Sequence, residues 1–375
     1  MGVDLFGREL AAGFPAAADG MPTMPAPSAK LIAWSRRLAR RLPWRGTRDP
    51  YRIWISEIML QQTRVETVVP YYRRFLRKFP SVKVLAKSKL RTVLKTWEGL
   101  GYYSRARNAH RTAGIIRAER GGRVPRTAAE WQALPGVGRY AAAAIASLAF
   151  GEPEPALDAN ARRILARLFA YRRRIGDERS QKDLAELYQK ARGAAAPGAF
   201  FQALMDLGQI VCLPRSPLCA QCPVSSHCAA WKRGIQSRLP ARAGSRSIPH
   251  FNVTAAVVLR GGKVLIAQRP AGGLLGGMWE FPGGKAERNE TLPACLRREL
   301  KEELGVTVRV REKILAVPHA FSHFRITLHV FRCDTLRGTP RPIGAAAVRW
   351  ARIRDLGGYP MGRADGIVAK RLSAR

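Results

Sequence analysis

Four cysteines fall within 17 residues, Cys212-x6-Cys219-x2-Cys222-x5-Cys228, and they constrain this chain more than any other feature. A disulfide framework spreads its cysteines along a secreted chain, whereas a tight cluster is the pattern of a metal site in a reducing compartment. Four thiolates at this spacing suit a tetrahedral zinc or one [4Fe–4S] cube. Zinc ribbons carry two short C-x2-C knuckles; only one is present here, at Cys219 and Cys222. His227, beside a complete set of four cysteines, reads as a bystander, and Cys295 and Cys333 stand alone.

The cluster also divides the chain. Upstream of it, from Ser28 as a candidate N-cap, apolar residues recur at helical spacing, as at Leu31, Trp34 and Leu38. The pattern predicts helices at roughly 51–65, 70–78, 88–97, 104–120, 127–133, 139–150, 158–170, 181–192 and 199–210, and no strand series. Residues 1–28 are rich in Ala, Pro and Gly and read as a disordered tail. Downstream, residues 232–249 carry five basic side chains and no acid, a linker able to run along phosphates. Strand patterns at 252–259 and 263–268 flank Gly261-Gly262, a hairpin signal. More strands are expected near 307–317, 325–333 and 346–350, with a helix near 291–304. The fold class expected is multidomain: an all-α domain over 29–231 including the cysteine loop, the linker, and an α+β domain over 250–375.

Charge narrows the partners. Lys and Arg number 65 against 27 Asp and Glu, a net +38, which points to a polyanion such as nucleic acid. With 46% apolar residues, wholesale disorder is excluded. The longest apolar run, 140–150, is too short to span a membrane, and no secretory leader is expected. A cytoplasmic protein is therefore expected.

Several short motifs bear on chemistry. L-P-G-V-G at 134–138 lies between two expected helices, where Gly136 and Gly138 would let the backbone turn tightly and aim N–H groups at a phosphate. L-D-A-N follows at 157–160. Upstream, P-W-R at 43–45, S-E-I-M-L-Q-Q-T at 56–63 and G-L-G-Y-Y-S-R at 99–105 complete the set. Glu57 lies in an apolar helix, where burial would raise its pKa and keep its proton. Asp158 opens a helix, where the dipole and backbone N–H groups would keep a carboxylate ionised. One proton donor and one anion flanking a bond is the logic of glycoside hydrolysis.

In this order, over about 43–228, these stretches resemble the adenine DNA glycosylases (the MutY family) of the helix-hairpin-helix, endonuclease III-like superfamily. The resemblance implies that the cysteine cluster holds [4Fe–4S]. It also implies that Glu57 protonates N7 of adenine and later activates water, while Asp158 stabilises the sugar cation. By the same resemblance Tyr140 and Asn160 line that site, Gln62 and Tyr102 insert into the duplex, and Arg45, Gly136 and Gly138 contact DNA. Superfamily members that cut the strand carry a Lys after G-V-G-R; Tyr140 there implies base removal without efficient strand cleavage. Ala159 departs from the Gly usual in the family.

The C-terminal part carries a full Nudix box, G-x5-E-x7-R-E-U-x-E-E-x-G-U, from Gly284 to Val306. Glu299, Glu302 and Glu303 would share a helix face and suit Mg²⁺ bridging to phosphates. The terminal domain of adenine DNA glycosylases is Nudix-like, has generally lost the box, and reads 8-oxoguanine. Phe321, Ser322 and His323 match the family's F-S-H loop for that lesion. The expected protein is thus a monomer that removes adenine mispaired with 8-oxoguanine or guanine in double-stranded DNA, nucleoid-associated, with Mg²⁺-dependent nucleotide pyrophosphohydrolysis open as a second activity. A DNA-tethered Nudix hydrolase and a non-catalytic lesion binder are the alternatives, and intact Glu57 and Asp158 disfavour both.

Overall fold

The computed structural model describes residues 26–38, 40–241, 248–321 and 323–374. Most of the expected tail, part of the linker, and Ser322 lie outside the described residues.

The N-terminal domain is a run of helices: α1 (Ser28–Arg37), α2 (Pro50–Leu60), α3 (Val65–Lys78), α4 (Val82–Lys87), α5 (Leu90–Trp97), α6 (Tyr103–Glu119), α7 (Ala128–Gln132), α8 (Arg139–Phe150), α9 (Ala159–Leu168), α10 (Glu178–Arg192) and α11 (Pro197–Ile210). Local sequence sets many of the ends. Asp49 caps α2, its carboxylate accepting from Tyr51 N–H at 2.9 Å, and Pro50 starts the helix where no N–H is needed. Thr127 and Glu130 form a reciprocal capping box on α7. Gly151 closes α8 in the left-handed region.

Three differences from the sequence reading have physical causes. Ser28 is the first residue of α1, and Pro27 occupies the cap position. α3 starts at Val65 and runs through Pro70, because buried Val68, Tyr72 and Phe75 outweigh the missing N–H. α4, one short helix capped by Ser81, is too brief to show a period.

These helices form two lobes. One core gathers α2–α8 around Trp54, Trp97, Trp131, Tyr72 and Phe75. The other joins α9–α11 with Leu31 of α1, so the first helix packs on the far lobe. Cys212, Cys222 and Cys228 pack against this second core, and a short helix α12 (Ala229–Lys232) follows the last cysteine.

The C-terminal domain is a sheet between two helices. Its elements are β1 (His250–Arg260), β2 (Lys263–Gln268), β3 (Trp279–Glu280), α13 (Leu292–Leu304), β4 (Thr307–Ala320), β5 (Arg325–Arg337), β6 (Ala347–Arg352) and α14 (Arg363–Ser373). Strand order is β3-β2-β1-β5-β4, with β6 on β2; β1 and β5 are parallel and the other pairs antiparallel. Gly261 and Gly262 both have positive φ, as the expected hairpin requires. Side chains alternate along β1: Ala255 and Val257 face the core under α14, Ala256 and Val258 the core under α13. α14, not anticipated, has Gly366 in its middle and a weak apolar stripe.

The domains are joined by direct bonds. Met278 is buried in the first helical core. Arg91 donates to the carbonyl of Gly358 at 2.8 Å, and Arg107 to that of Gly276.

Candidate active site

A cavity of about 1330 Å³ opens between the two helical lobes, and Glu57, Tyr140, Asp158 and Asn160 all line it. Each lobe supplies one carboxyl group. Glu57 comes from α2, among Trp54, Ile58 and Met59, and is 6% exposed. Burial pushes its carboxyl up to about 7; the Tyr140 hydroxyl, donating to Oε2 at 3.1 Å, opposes this, and Asp158 adds to it. The Tyr140 phenol is itself driven well above its usual range by burial.

Asp158 comes from the N-terminus of α9. It is the N-cap, its Oδ1 accepting from Ala161 N–H at 2.7 Å and its Oδ2 from the Asn160 amide at 3.0 Å. The expected stabilisation of its anion is present, but a larger opposing effect was not foreseen. Burial raises its pKa, against the Ala161 and Asn160 donors and the Arg163 charge. Arg163 in turn donates to Asn160 Oδ1 at 2.9 Å and to the carbonyls of Gly208 and Cys212. A Cβ at Gly208 would stand 2.8 Å from the Asn160 Cβ, so the approach of α11 to Asn160 depends on that glycine.

Of the residues expected to face DNA, Arg45, Gln62 and Gly138 line this cavity, and Tyr102 lines the one between the domains. Gly138 caps α8 without a side-chain acceptor for its first amides, and Gly136 at φ +76° makes the turn before it. Arg45 lines the cavity, yet its guanidinium is paired, with that of Arg40, to fully buried Asp206. Gln62 and Tyr102 both adopt left-handed backbone, at φ 55° and 48°, and Tyr102 is 39% exposed. Arg105 explains how both turns are held. It is buried and donates to the carbonyls of Ile58 and Met59 at 2.9 Å, to Gln61, to Thr63 Oγ1 at 3.1 Å and to Gly101 at 3.2 Å. Its guanidinium also lies 5.0 Å from the Tyr102 ring. Sequence reasoning passed over Arg105, although it ends the G-L-G-Y-Y-S-R motif.

The cysteine loop offers thiolate chemistry. Burial and mutual repulsion raise the thiols of Cys219, Cys222 and Cys228. Backbone N–H groups of Val224, Ala230 and Trp231 pull the other way, and Arg167 donates to Cys212 Sγ at 3.4 Å. Four like charges gathered among such donors fit a cationic cluster. Among the described residues no three His, Cys, Asp or Glu side chains close on a single ion.

A second cavity, of about 830 Å³, lies between the two domains. Glu299 and Glu303 of the Nudix box line it, while Glu302 is 58% exposed and paired with Arg298 at 3.0 Å. Arg298 also bonds Glu290 at 2.9 Å and Glu299 at 3.2 Å, and Glu302 still raises the carboxyls of both Glu299 and Glu303. Mg²⁺ commonly takes one or two carboxylates plus phosphate oxygens, so Glu299 and Glu303 still fit. Burial and Glu299 push Glu303 up to about 7. Phe321 and His323 line the same cavity; the Phe321 ring lies 4.6 Å from that of Phe324.

Family models match three segments: the HhH-GPD superfamily of base excision DNA repair proteins over 55–190, the iron-sulfur binding domain of endonuclease III over 212–228, and a NUDIX domain over 254–371. Fold and site together define a DNA glycosylase, a hydrolase of N-glycosyl bonds, that carries an iron–sulfur cluster and a Nudix domain. The chain is 36% identical to human adenine DNA glycosylase across 85% of this chain and 69% of that protein. It is 36% identical to the mouse adenine DNA glycosylase across 85% and 73% respectively. A solved thermostable thymine-DNA glycosylase, 32% identical, matches 55% of this chain and 95% of its own with a TM-score of 0.50. The chain belongs to the adenine DNA glycosylase family. Among the described residues no helix is long and apolar enough to cross a membrane.

Proposed function

We propose that this enzyme removes adenine from double-stranded DNA where it is mispaired with 8-oxoguanine or guanine, acting as a monomer. The observation that carries the mechanism is the contrast between Glu57, buried with one hydroxyl partner, and Asp158, buried but held by backbone and amide donors. Glu57 is the proton donor to N7 of the flipped adenine, and its conjugate base then takes a proton from the attacking water. Asp158 faces the developing oxocarbenium as the anion. Tyr140 steadies the Glu57 carboxyl and offers no amine for a Schiff base, so the product is an abasic site with an intact strand. Gln62 and Tyr102 hold the gap in the duplex, and Gly136 and Gly138 seat a phosphate. The cysteine loop holds [4Fe–4S] and braces the second lobe. Phe321, Ser322 and His323 read 8-oxoguanine opposite the adenine.

The test is a duplex with adenine opposite 8-oxoguanine, incubated and then treated with alkali. Breaks that appear only after alkali support this reading; breaks without alkali contradict it.

A second activity draws support from Glu299 and Glu303, whose carboxyls crowd one cavity wall. With Mg²⁺ between them and a nucleotide's phosphates, the domain would hydrolyse a nucleoside triphosphate. Pyrophosphate or phosphate release from 8-oxo-dGTP, lost in Glu303→Gln, is the check.

A further inference from the structure

The cavity between the domains has the make-up of a nucleotide site. At about 830 Å³ it falls within the usual range of ligand pockets. One side is aromatic: the ring centroids of Phe251 and Phe324 are 5.9 Å apart, and the Lys285 ammonium stands 3.5 Å over Phe251. Such an aromatic wall can stack a flat base on its exposed side, and Lys285 offers a cation to a phosphate. Glu299 and Glu303 supply the acidic wall that a phosphate-bound divalent cation would bridge. Deeper in, Asp365 is 8% exposed with Oδ1 accepting from Phe281 N–H at 3.1 Å, and Arg269 is paired with Glu280 at 2.6 Å. Buried polar groups of this kind can bond the edge of a base.

The opposite wall belongs to the other domain. It is the loop from Gly99 to Ser104, which carries Tyr102. Both ends of that loop are fastened to one residue of the C-terminal domain. The Met361 N–H donates to Glu98 Oε1 at 3.0 Å, and the Tyr103 hydroxyl donates to the Met361 carbonyl at 3.3 Å. Met361 directly precedes Gly362–Asp365, which line the cavity. A ligand drawn against Asp365 therefore acts on the backbone that brackets Tyr102.

We propose that a free nucleoside 5′-di- or triphosphate with a divalent cation binds between the domains, and that its occupancy weakens duplex engagement through the Met361 clamp on the Tyr102 loop. Tyr102 itself lines the cavity, so a ligand seated there and a duplex would compete for the same clamped loop. The coupling half of this rests on the reading of Tyr102 as the duplex wedge; the binding half does not. An extruded nucleotide of a DNA strand presents the same chemistry, and the experiment separates the two.

The experiment uses the full chain carrying Glu57→Gln, so that adenine is not released, and a non-hydrolysable α,β-methylene deoxyguanosine triphosphate with Mg²⁺. Calorimetry measures analogue binding, and anisotropy measures the affinity for a lesion duplex and an undamaged duplex. The expected result is saturable analogue binding and a duplex Kd raised at least about fivefold, with the analogue Kd raised by the same factor when duplex is bound. Adding Glu98→Ala, which removes one end of the clamp outside the cavity, should leave analogue affinity intact and bring the coupling within about twofold of none. Absence of analogue binding at millimolar concentration would overturn the proposal, as would binding with no effect on duplex affinity. Analogue displaced by the lesion duplex alone, with Glu98→Ala making no difference, would put a DNA nucleotide in the cavity and overturn the free-ligand assignment. If Tyr102→Ala leaves duplex affinity unchanged while the analogue still binds, the wedge reading has failed and the binding site stands.

Discussion

The two cavities hold buried carboxyl groups under opposite arrangements. Between the helical lobes, no cation bonds Glu57 among the described residues; its partner is the Tyr140 hydroxyl. Between the domains, Glu280 is ion-paired with Arg269, and Glu299 lies 3.2 Å from Arg298. Burial raises all three carboxyls. A carboxyl raised by burial with a hydroxyl rather than a cation as its bonded partner suits a group that must give a proton away. In the second cavity, the Arg269 and Arg298 guanidinium groups oppose that rise, which suits binding of cations and polar ligands. The same residue type thus serves proton transfer or recognition according to whether a permanent charge is built in beside it.

The largest way to break this contrast is Glu57→Gln. Excision of adenine should fall by about 10³-fold or more while duplex affinity is kept, read by single-turnover kinetics and anisotropy. Stability should move the other way. Glu57 has a folded pKa near 7 against 4.5 unfolded, so it destabilises the native state increasingly as pH rises through that window. Glu57→Gln should therefore be more stable than the parent above pH 7, by up to about 3 kcal/mol, with the difference fading toward pH 4.5. Chemical denaturation at several pH values reads this. Asp158→Asn keeps an N-cap but not the charge, and should cost about 10²-fold in excision with little change in Tm. Asp158→Ala should add a stability loss of about 1 kcal/mol.

In the second cavity Arg269→Met should leave Glu280 without its cation. Stability at pH 9 should drop by about 2 kcal/mol, and the loss should shrink toward neutral pH, because burial pushes the Glu280 carboxyl up to about 8 and it takes a proton instead. Adenine excision should be little affected. The smallest effect is expected of Tyr140→Phe. Its hydroxyl lowers the Glu57 pKa, so removing it should move the alkaline limb of the pH–rate profile upward by less than about one unit.

Much of this was legible in the sequence because it is carried by local pattern. The helices containing Glu57, Tyr140 and Asp158 follow from apolar spacing and caps, and the cysteine loop from spacing alone. What was not legible depends on contacts far apart in the chain. α1 packs on the second lobe, 171 residues away at the Ser35–Asp206 hydrogen bond, and no periodicity encodes such a pairing. Arg105 looks like one of many surface cations until its carbonyl partners arrive from another helix. Helical spacing puts Glu302 near Glu299 and Glu303, but that Arg298 bonds Glu290 together with Glu299 and Glu302 is visible only in the fold. The opposing influences on Asp158 were half legible: the cap is local, whereas the burial exists only in the folded cavity.

The account turns on Glu57 holding its proton when adenine leaves. Single-turnover release of adenine opposite 8-oxoguanine, measured from pH 5 to 9 in the parent and in Glu57→Gln, tests it most directly. The prediction is a rate that falls as pH rises through about 7 in the parent, and a residual rate without that limb in the variant. A variant that releases adenine as fast as the parent, or a parent profile flat across this range, would contradict it.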